Sequence, residues 1–275
     1  GKTSIAMHRA AYLMYRRGAA LEASRIQILS PGTAFSEYVS TVLPELGEEN
    51  IRARTLYEMV CEIVGRRTES PVHQAEELLR NGDPLRIQSM EWKTGGLFAR
   101  ELKRFCDAFT QNGPEFGDVL LDGKVYISAK ELREMYARES RVFSACQRLE
   151  HMSARLDTRM ESLGERLNKQ YERAYEGKYS GRELKNVCRM AVSQQLQPIR
   201  LRLRSMLEVS GEKLLADAMK DAPKALRDAY DENNRANLTW WEDAVAEAYL
   251  RVRLGFVKPD RTVSHLLVDE AQDYS

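Results

Sequence analysis

The chain has 275 residues, 43% of them hydrophobic and 30% charged, with a net charge of +1. That balance suits a folded chain of one or two domains with a sizeable core and excludes a disordered one. Near-neutrality also excludes a protein-wide basic field, so any nucleic-acid contact must come from a local patch. The cysteines Cys61, Cys106, Cys146 and Cys188 form no C-x-x-C pair, which argues against zinc and for reduced thiols in a cytoplasmic setting. No apolar run is long enough for a membrane span and no signal-peptide pattern occurs, so no membrane partner is expected.

In chain order, residues 4–17 read as a helix with Ala6, Ala10, Leu13 and Met14 on one face. Residues 25–29 (RIQIL) form a strand stopped by Ser30-Pro31-Gly32. Phe35, Tyr38, Val39, Val42 and Leu43 follow the spacing of an amphipathic helix, closed between Pro44 and Gly47. Leu56, Met59, Val60, Ile63 and Val64 mark another helix, and residues 263–268 an apolar, buried strand. Strands alternating with helices imply a parallel α/β sheet.

The middle is nearly all helical. Asp122-Gly123-Lys124 turns a small hairpin between residues 119–121 and 125–127. Ser128 to Glu131 reads as a capping box. From Leu132, a 3/4 alternation through Met135, Val142, Cys146, Leu149, Leu156, Met160, Leu163 and Leu167 predicts one long helix of coiled-coil character, with Glu139 and Ser153 filling two seam positions. Such a helix is longer than a compact domain needs and is expected to project or to lie along a partner. Residues 176–181 (EGKYSG) supply its tip, and Ser180 to Glu183 a second capping box. Leu184, Val187 and Ala191 lie on the return helix, which Pro198 is expected to break or kink near Gln197. Residues 231–237 read as a polar linker, and Thr239 to Glu242 as the cap of a helix returning to the sheet. The predicted division is therefore an α/β domain of residues 1–70 and 238–275, split by a mainly helical insertion of residues 71–237.

The two ends carry the chemistry. Gly1-Lys2-Thr3-Ser4 matches the close of a phosphate-binding loop, in which the lysine meets phosphate oxygens and the threonine hydroxyl ligates Mg²⁺. The complementary signal is an apolar strand closing on Asp269-Glu270, which brings one carboxylate to the metal and a second towards the attacking water. Each motif alone is weak, but the pair in its helix and strand context points to a P-loop NTPase core that uses ATP and Mg²⁺. The loop pattern needs a further glycine five residues upstream of Gly1, so the sequence is expected to lack the first half of the loop.

The run Asp269-Glu270-Ala271-Gln272-Asp273 resembles the second motif of superfamily 1 helicases of the UvrD/Rep type. Residues 1–15 (GKTSIAMHRAAYLMY), 28–50 (ILSPGTAFSEYVSTVLPELGEEN), 240–243 (WWED) and 267–275 (LVDEAQDYS) resemble the HelD, or helicase IV-like, branch. The resemblance implies a RecA-like fold and a motor driven by ATP hydrolysis, acting on DNA or bound to RNA polymerase. In it Gly1, Lys2, Thr3 and Ser4 would bind nucleotide, Thr3 and Asp269 would hold Mg²⁺, Glu270 would be the catalytic base, and Gln272 would sense the nucleotide. Ser30, Pro31 and Thr55 sit where family members approach nucleic acid, although turn and cap roles suit the same residues. The helical middle resembles, in position and character, an arm that reaches towards the polymerase's nucleic-acid channel. The later motifs and the second motor domain with its arginine fingers are missing, so the chain by itself is expected to show negligible ATP turnover and no unwinding.

Two features remain open to a structural reading. Trp240 and Trp241 could stack bases, but beside Ala244, Val245 and Ala248 at least one is expected in the core. Residues 178–204 contain Lys178, Arg182, Lys185, Arg189, Arg200, Arg202 and Arg204 against Glu183 alone, an excess of +6. Arg182, Lys185 and Arg189, next to the tip, are candidates for binding a partner's phosphates or acidic surface. The competing view is a non-catalytic module in which the arm binds a partner and the ATPase remnant is scaffold.

Overall fold

Strand β1 (Ile26–Ser30) is the middle of a three-stranded parallel sheet of order β2-β1-β5, with β2 at Arg52–Thr55 and β5 at His265–Val268. The computed structural model describes residues 5, 8, 9, 12, 26–32, 52–257 and 263–274, apart from the side chains of 52, 273 and 274. Around the sheet the chain is mostly helical, a mixed α/β protein. It divides into two compact units: residues 1–88, 231–248 and 257–275, and residues 89–230 and 249–256.

In the first unit, Ile26, Ile28, Leu29 and Ser30 are all buried, as a central parallel strand requires. β5 is different. Leu266 and Val268 are 55% and 44% exposed, so the strand alternates along its length where the sequence predicts a buried one. β2 has no sequence signal, because Arg52-Ala53-Arg54-Thr55 has no apolar run; pairing with β1, not composition, makes it a strand. Ile5, His8, Arg9 and Tyr12 are helical, and at i, i+3, i+4, i+7 they form one exposed face of the predicted first helix. Ala6, Ala10, Leu13 and Met14 lie outside the described residues, as does the helix predicted from Phe35 to Leu43.

Helix α1 (Leu56–Val64) starts directly on β2. Its inner face, Leu56, Val60, Ile63 and Val64, packs with Trp241, Ala244 and Ala248 from the first half of the helix Trp241–Leu254. Between α1 and that helix lie α2 (Pro71–Asn81) and the start of α3 (Pro84–Thr94). A buried ionic cluster ties these segments together. Arg86, 6% exposed, pairs with Glu69 and Glu242 and lies 4.2 Å over the Trp240 ring. Arg66 holds Glu247 through both guanidinium NH groups at 3.2 and 2.6 Å and donates to Thr239 Oγ1 at 3.2 Å. Gln74 donates to Glu242 at 2.8 Å, and the Trp241 N–H to Glu69 at 3.0 Å. Thr239 and Glu242, predicted to cap the returning helix, are thus engaged by Arg66 and Arg86, and the helix itself starts at Trp241.

The second unit begins with α4 (Gly96–Asn112), followed by the hairpin β3 (Val119–Leu121) and β4 (Lys124–Ile127). Its turn is Asp122-Gly123, with φ of +50° and +76°, the sign pattern that makes Asp-Gly a hairpin signal. Helix α5 (Ala129–Arg138) then ends at Glu139, and α6 (Ala145–Tyr175) starts afresh at the Ser144 cap. The single long helix predicted from Leu132 to Leu167 is therefore broken. Ser144 and Gln147 form a reciprocal capping box that competes with continuation, and Val142, a seam position by its spacing, is 91% exposed. Glu139 is buried against Arg155 at 2.9 Å and His151 at 3.2 Å, which fixes the chain as it leaves α5.

Arg148 holds α4, α5 and α6 together. Its guanidinium donates to Thr110 O and, at 2.8 Å, to Tyr136 O, and lies 3.9 Å over the Tyr136 ring. Tyr136 OH donates to Phe109 O at 3.2 Å. Only half of the capping box predicted at Ser128 forms. Ser128 Oγ accepts from the Glu131 N–H, but the Glu131 carboxylate is paired with Arg159.

Helix α7 (Gly181–Leu207) returns along α6 after a turn at Glu176–Tyr179. Ser180 makes no side-chain cap, so the second predicted capping box is absent. The helix also runs unbroken through Pro198. Leu196, Ile199 and Leu203 are buried on either side, and this packing offsets the lost hydrogen bond. Helices α8 (Gly211–Ala218) and α9 (Lys224–Arg235) follow. Most of the predicted linker 231–237 is therefore the end of α9, anchored by buried Leu226 and Tyr230. The last helix, α10 (Trp241–Leu254), precedes β5.

Replacing Arg86 with Met should expose the importance of the buried cluster, because it leaves the Glu69 and Glu242 carboxylates buried without their cation. The expected loss is about 3–5 kcal/mol, read from urea denaturation. Replacing Lys130, whose contact with Glu134 is solvent-exposed, should have little measurable effect in the same assay.

Candidate functional site

The parallel register brings three strand ends to one edge of the sheet. Ser30 and Thr55 are direct partners, and Leu29 pairs with Val268, so Asp269 comes level with Ser30. The Asp269 N–H donates to Leu29 O at 3.0 Å and extends the ladder by one residue. Open parallel sheets bind their ligands at this carboxyl edge.

Two of the residues gathered there have local roles. Thr55 caps α1: its Oγ1 accepts from the Glu58 N–H at 3.1 Å, while Glu58 accepts from the Thr55 N–H at 2.9 Å. Ser30 is fully buried, and its hydroxyl donates to Gly32 O at 3.1 Å across the turn that follows β1. Pro31 in that turn is exposed. The Ser30 hydroxyl thus ties the turn after β1, and the Thr55 hydroxyl caps the helix that leaves β2.

After Asp269 the chain reverses. Glu270 has φ of +47°, a left-handed conformation that is uncommon for a residue with a long side chain. A 3-10 turn (Ala271–Tyr274) follows. The reversal leaves Asp269 half-buried at the strand end and Glu270 and Gln272 exposed, with the Gln272 amide donating to the Glu270 carboxylate. Two adjacent carboxylates beside a parallel edge supply oxygen donors, which suit a hard cation such as Mg²⁺ rather than a thiophilic metal. Among the described residues no group of three or more His, Cys, Asp or Glu side chains could hold a metal. Gly1, Lys2, Thr3 and Ser4, the other half of the predicted nucleotide site, lie outside the described residues.

The tryptophan pair is structural. Trp241 packs into the α1–α10 core with its ring 5.9 Å from Tyr57, and Trp240 lies beneath Arg86. Arg182, Lys185 and Arg189 share one exposed face of α7 in the other unit. Sequence reasoning misses Lys169 of α6, which lines a groove with Lys185 and Arg189. Its signal is weak, since Lys169 falls outside the stretch of one-signed charge. Among the described residues no helix is long and apolar enough to cross a membrane. No protein-family model matches the chain, and a search of curated proteins returns no match.

The strained backbone at Glu270 has a measurable consequence. Asn tolerates the left-handed region better than Glu, so Glu270→Asn is expected to raise stability by roughly 0.5–1 kcal/mol. Glu270→Val should lower it. Urea midpoints of the two variants against the parent give the comparison.

Proposed function

We propose that the chain carries part of the first motor domain of an ATP-dependent, superfamily 1 helicase-like protein of the HelD branch, with a P-loop NTPase core and a helical arm inserted in it. The single observation that carries this reading is the meeting of Ser30, Thr55 and Asp269 at the carboxyl edge of a parallel sheet. An aspartate that ends such a strand, followed at once by a glutamate, is the arrangement that phosphate-loop enzymes use.

In this reading Lys2 binds phosphate oxygens. Thr3 and Asp269 would hold Mg²⁺, whose chemistry is to offset phosphate charge. Glu270 has the exposed carboxylate needed to accept a proton from water. Gln272, already hydrogen-bonded to that carboxylate, holds its orientation and can exchange this bond for one to the nucleotide. The partner is DNA or RNA polymerase, the second motor domain belongs to the same parent protein, and the setting is cytoplasmic.

The test uses a version extended upstream to complete the loop pattern before Gly1. Lys2→Ala and Glu270→Gln should each lower ATP hydrolysis by at least ~100-fold, the range for losing a general base. Glu270→Gln should retain fluorescent-nucleotide binding better than Lys2→Ala, because the base acts on water while the lysine holds phosphate. Hydrolysis unaffected by either substitution sinks the assignment. If the extended version binds no nucleotide, the alternative of an arm on an inert scaffold holds instead.

A further inference from the structure

The distal half of the α6–α7 hairpin has a surface that its fold does not explain. A groove of about 690 Å³ runs between the two helices, lined by Gly164, Glu165, Asn168, Lys169 and Glu172 of α6 and by Lys185, Arg189 and Val192 of α7. Gly164 lets the helices approach: a Cβ there would lie 3.3 Å from Leu196 Cδ1. Arg182 precedes Lys185 and Arg189 at i, i+3, i+7, so the three form one row along the α7 wall.

Some cations nearer the hairpin base are matched to carboxylates, Arg155 to Glu139 and the half-buried Arg159 to Glu131, while Arg200 and Arg202 are exposed without an ion pair to any described residue. Lys169, Arg182, Lys185 and Arg189 are exposed and form no ion pair with any described residue. Of the two acids that line the groove, Glu165 and Glu172, neither is ion-paired with these cations, and Glu172 accepts from Asn168 at 2.8 Å. At the tip end a column of tyrosines follows. Tyr171 and Tyr175 are stacked at 5.8 Å with 10° between their planes, and Tyr179, 37% exposed, meets Tyr175 edge-on at 5.9 Å.

We propose that this groove binds single-stranded nucleic acid, with Lys169, Arg182, Lys185 and Arg189 on its phosphates and Tyr179 beneath a base. Uncommitted cations leading to an aromatic platform are the two components of such sites. An acidic protein partner fits less well. Protein-interface hot spots centre on well-packed, desolvated pockets, and the apolar lining of this groove is limited to Gly164 and Val192. The proposal stands on the helical unit alone and does not rest on the ATPase reading.

The experiment measures anisotropy of a fluorescein-labelled oligo(dT) of about twenty nucleotides with the full chain, across a series of salt concentrations. The combined variant K169Q/R182Q/K185Q/R189Q keeps good helix formers and removes four charges. It should bind at least tenfold more weakly at low salt. The log–log salt slope should fall in magnitude by up to ~3, about 0.7 for each phosphate that is no longer neutralised. Tyr179→Ala should weaken binding roughly tenfold with its salt slope unchanged, because stacking releases no counterions. Circular dichroism and a thermal melt establish that both variants are folded. A combined variant that binds within twofold of the parent overturns the groove, and an unaffected Tyr179→Ala overturns the stacking. Equal competition by poly-glutamate overturns the nucleic-acid assignment in favour of a general polyanion or acidic-protein site.

Discussion

The sheet edge that carries Asp269 depends on two arginines far from it in sequence, Arg86 buried and Arg66 partly exposed. Arg66 and Arg86 sit among Glu69, Glu242 and Glu247, and Arg86 is covered by the Trp240 ring. Charges removed from water are costly unless paired with good geometry, so these contacts favour the arrangement of the segments that supplies them. That arrangement seats the N-terminal half of α10 against α1 through Trp241, Ala244 and Ala248. α1 begins at Thr55, which is also the last residue of β2 and the partner of Ser30. β1 in turn sets the register of β5 and hence the height of Asp269. Specificity therefore passes from ionic pairing, through a small apolar contact, to a backbone ladder.

The helical unit solves a different problem. A two-helix hairpin has little core of its own, so its stability comes from the continuous apolar seam of Leu156, Met160, Leu163 and Leu167 on α6 facing Leu196, Ile199 and Leu203 on α7. Polar links secure it further. Tyr171 OH donates to Gln195 Oε1, and Gln195 Nε2 donates to Asp122 in the β3–β4 turn. In the distal half the exposed faces carry Lys169, Arg182, Lys185 and Arg189, which form no ion pair with any described residue.

Local signals in the sequence are legible where the interaction is itself local. The Asp122-Gly123 turn needs only two residues that accept positive φ, and it forms where expected. The α1 periodicity and the strand around Ile26–Leu29 likewise follow from their own side-chain patterns. Sequence reasoning fails where a side chain has a distant competitor. Glu131 has the spacing of a cap residue but pairs with Arg159, 28 residues away, and Glu242 has the same spacing but pairs with Arg86. The break at Glu139 is hidden because Val142 happens to continue a heptad, although the Ser144–Gln147 cap that ends the break is a readable signal.

The sequence by itself determined the strand around Ile26–Leu29, the hairpin turn and the α1 helix, the motif residues Asp269, Glu270 and Gln272 at the end of a strand, and the basic character of residues 178–204, because each depends on composition or spacing over a few positions. Tertiary structure alone decided that β2 is a strand, that Ser30, Thr55 and Asp269 share one sheet edge, and that α7 survives Pro198. It also decided that Lys169 joins Lys185 and Arg189 across one groove. These outcomes rest on pairing between residues far apart in the chain. Strand register, burial and charge matching are properties of two surfaces in contact, and neither surface's own sequence specifies its partner.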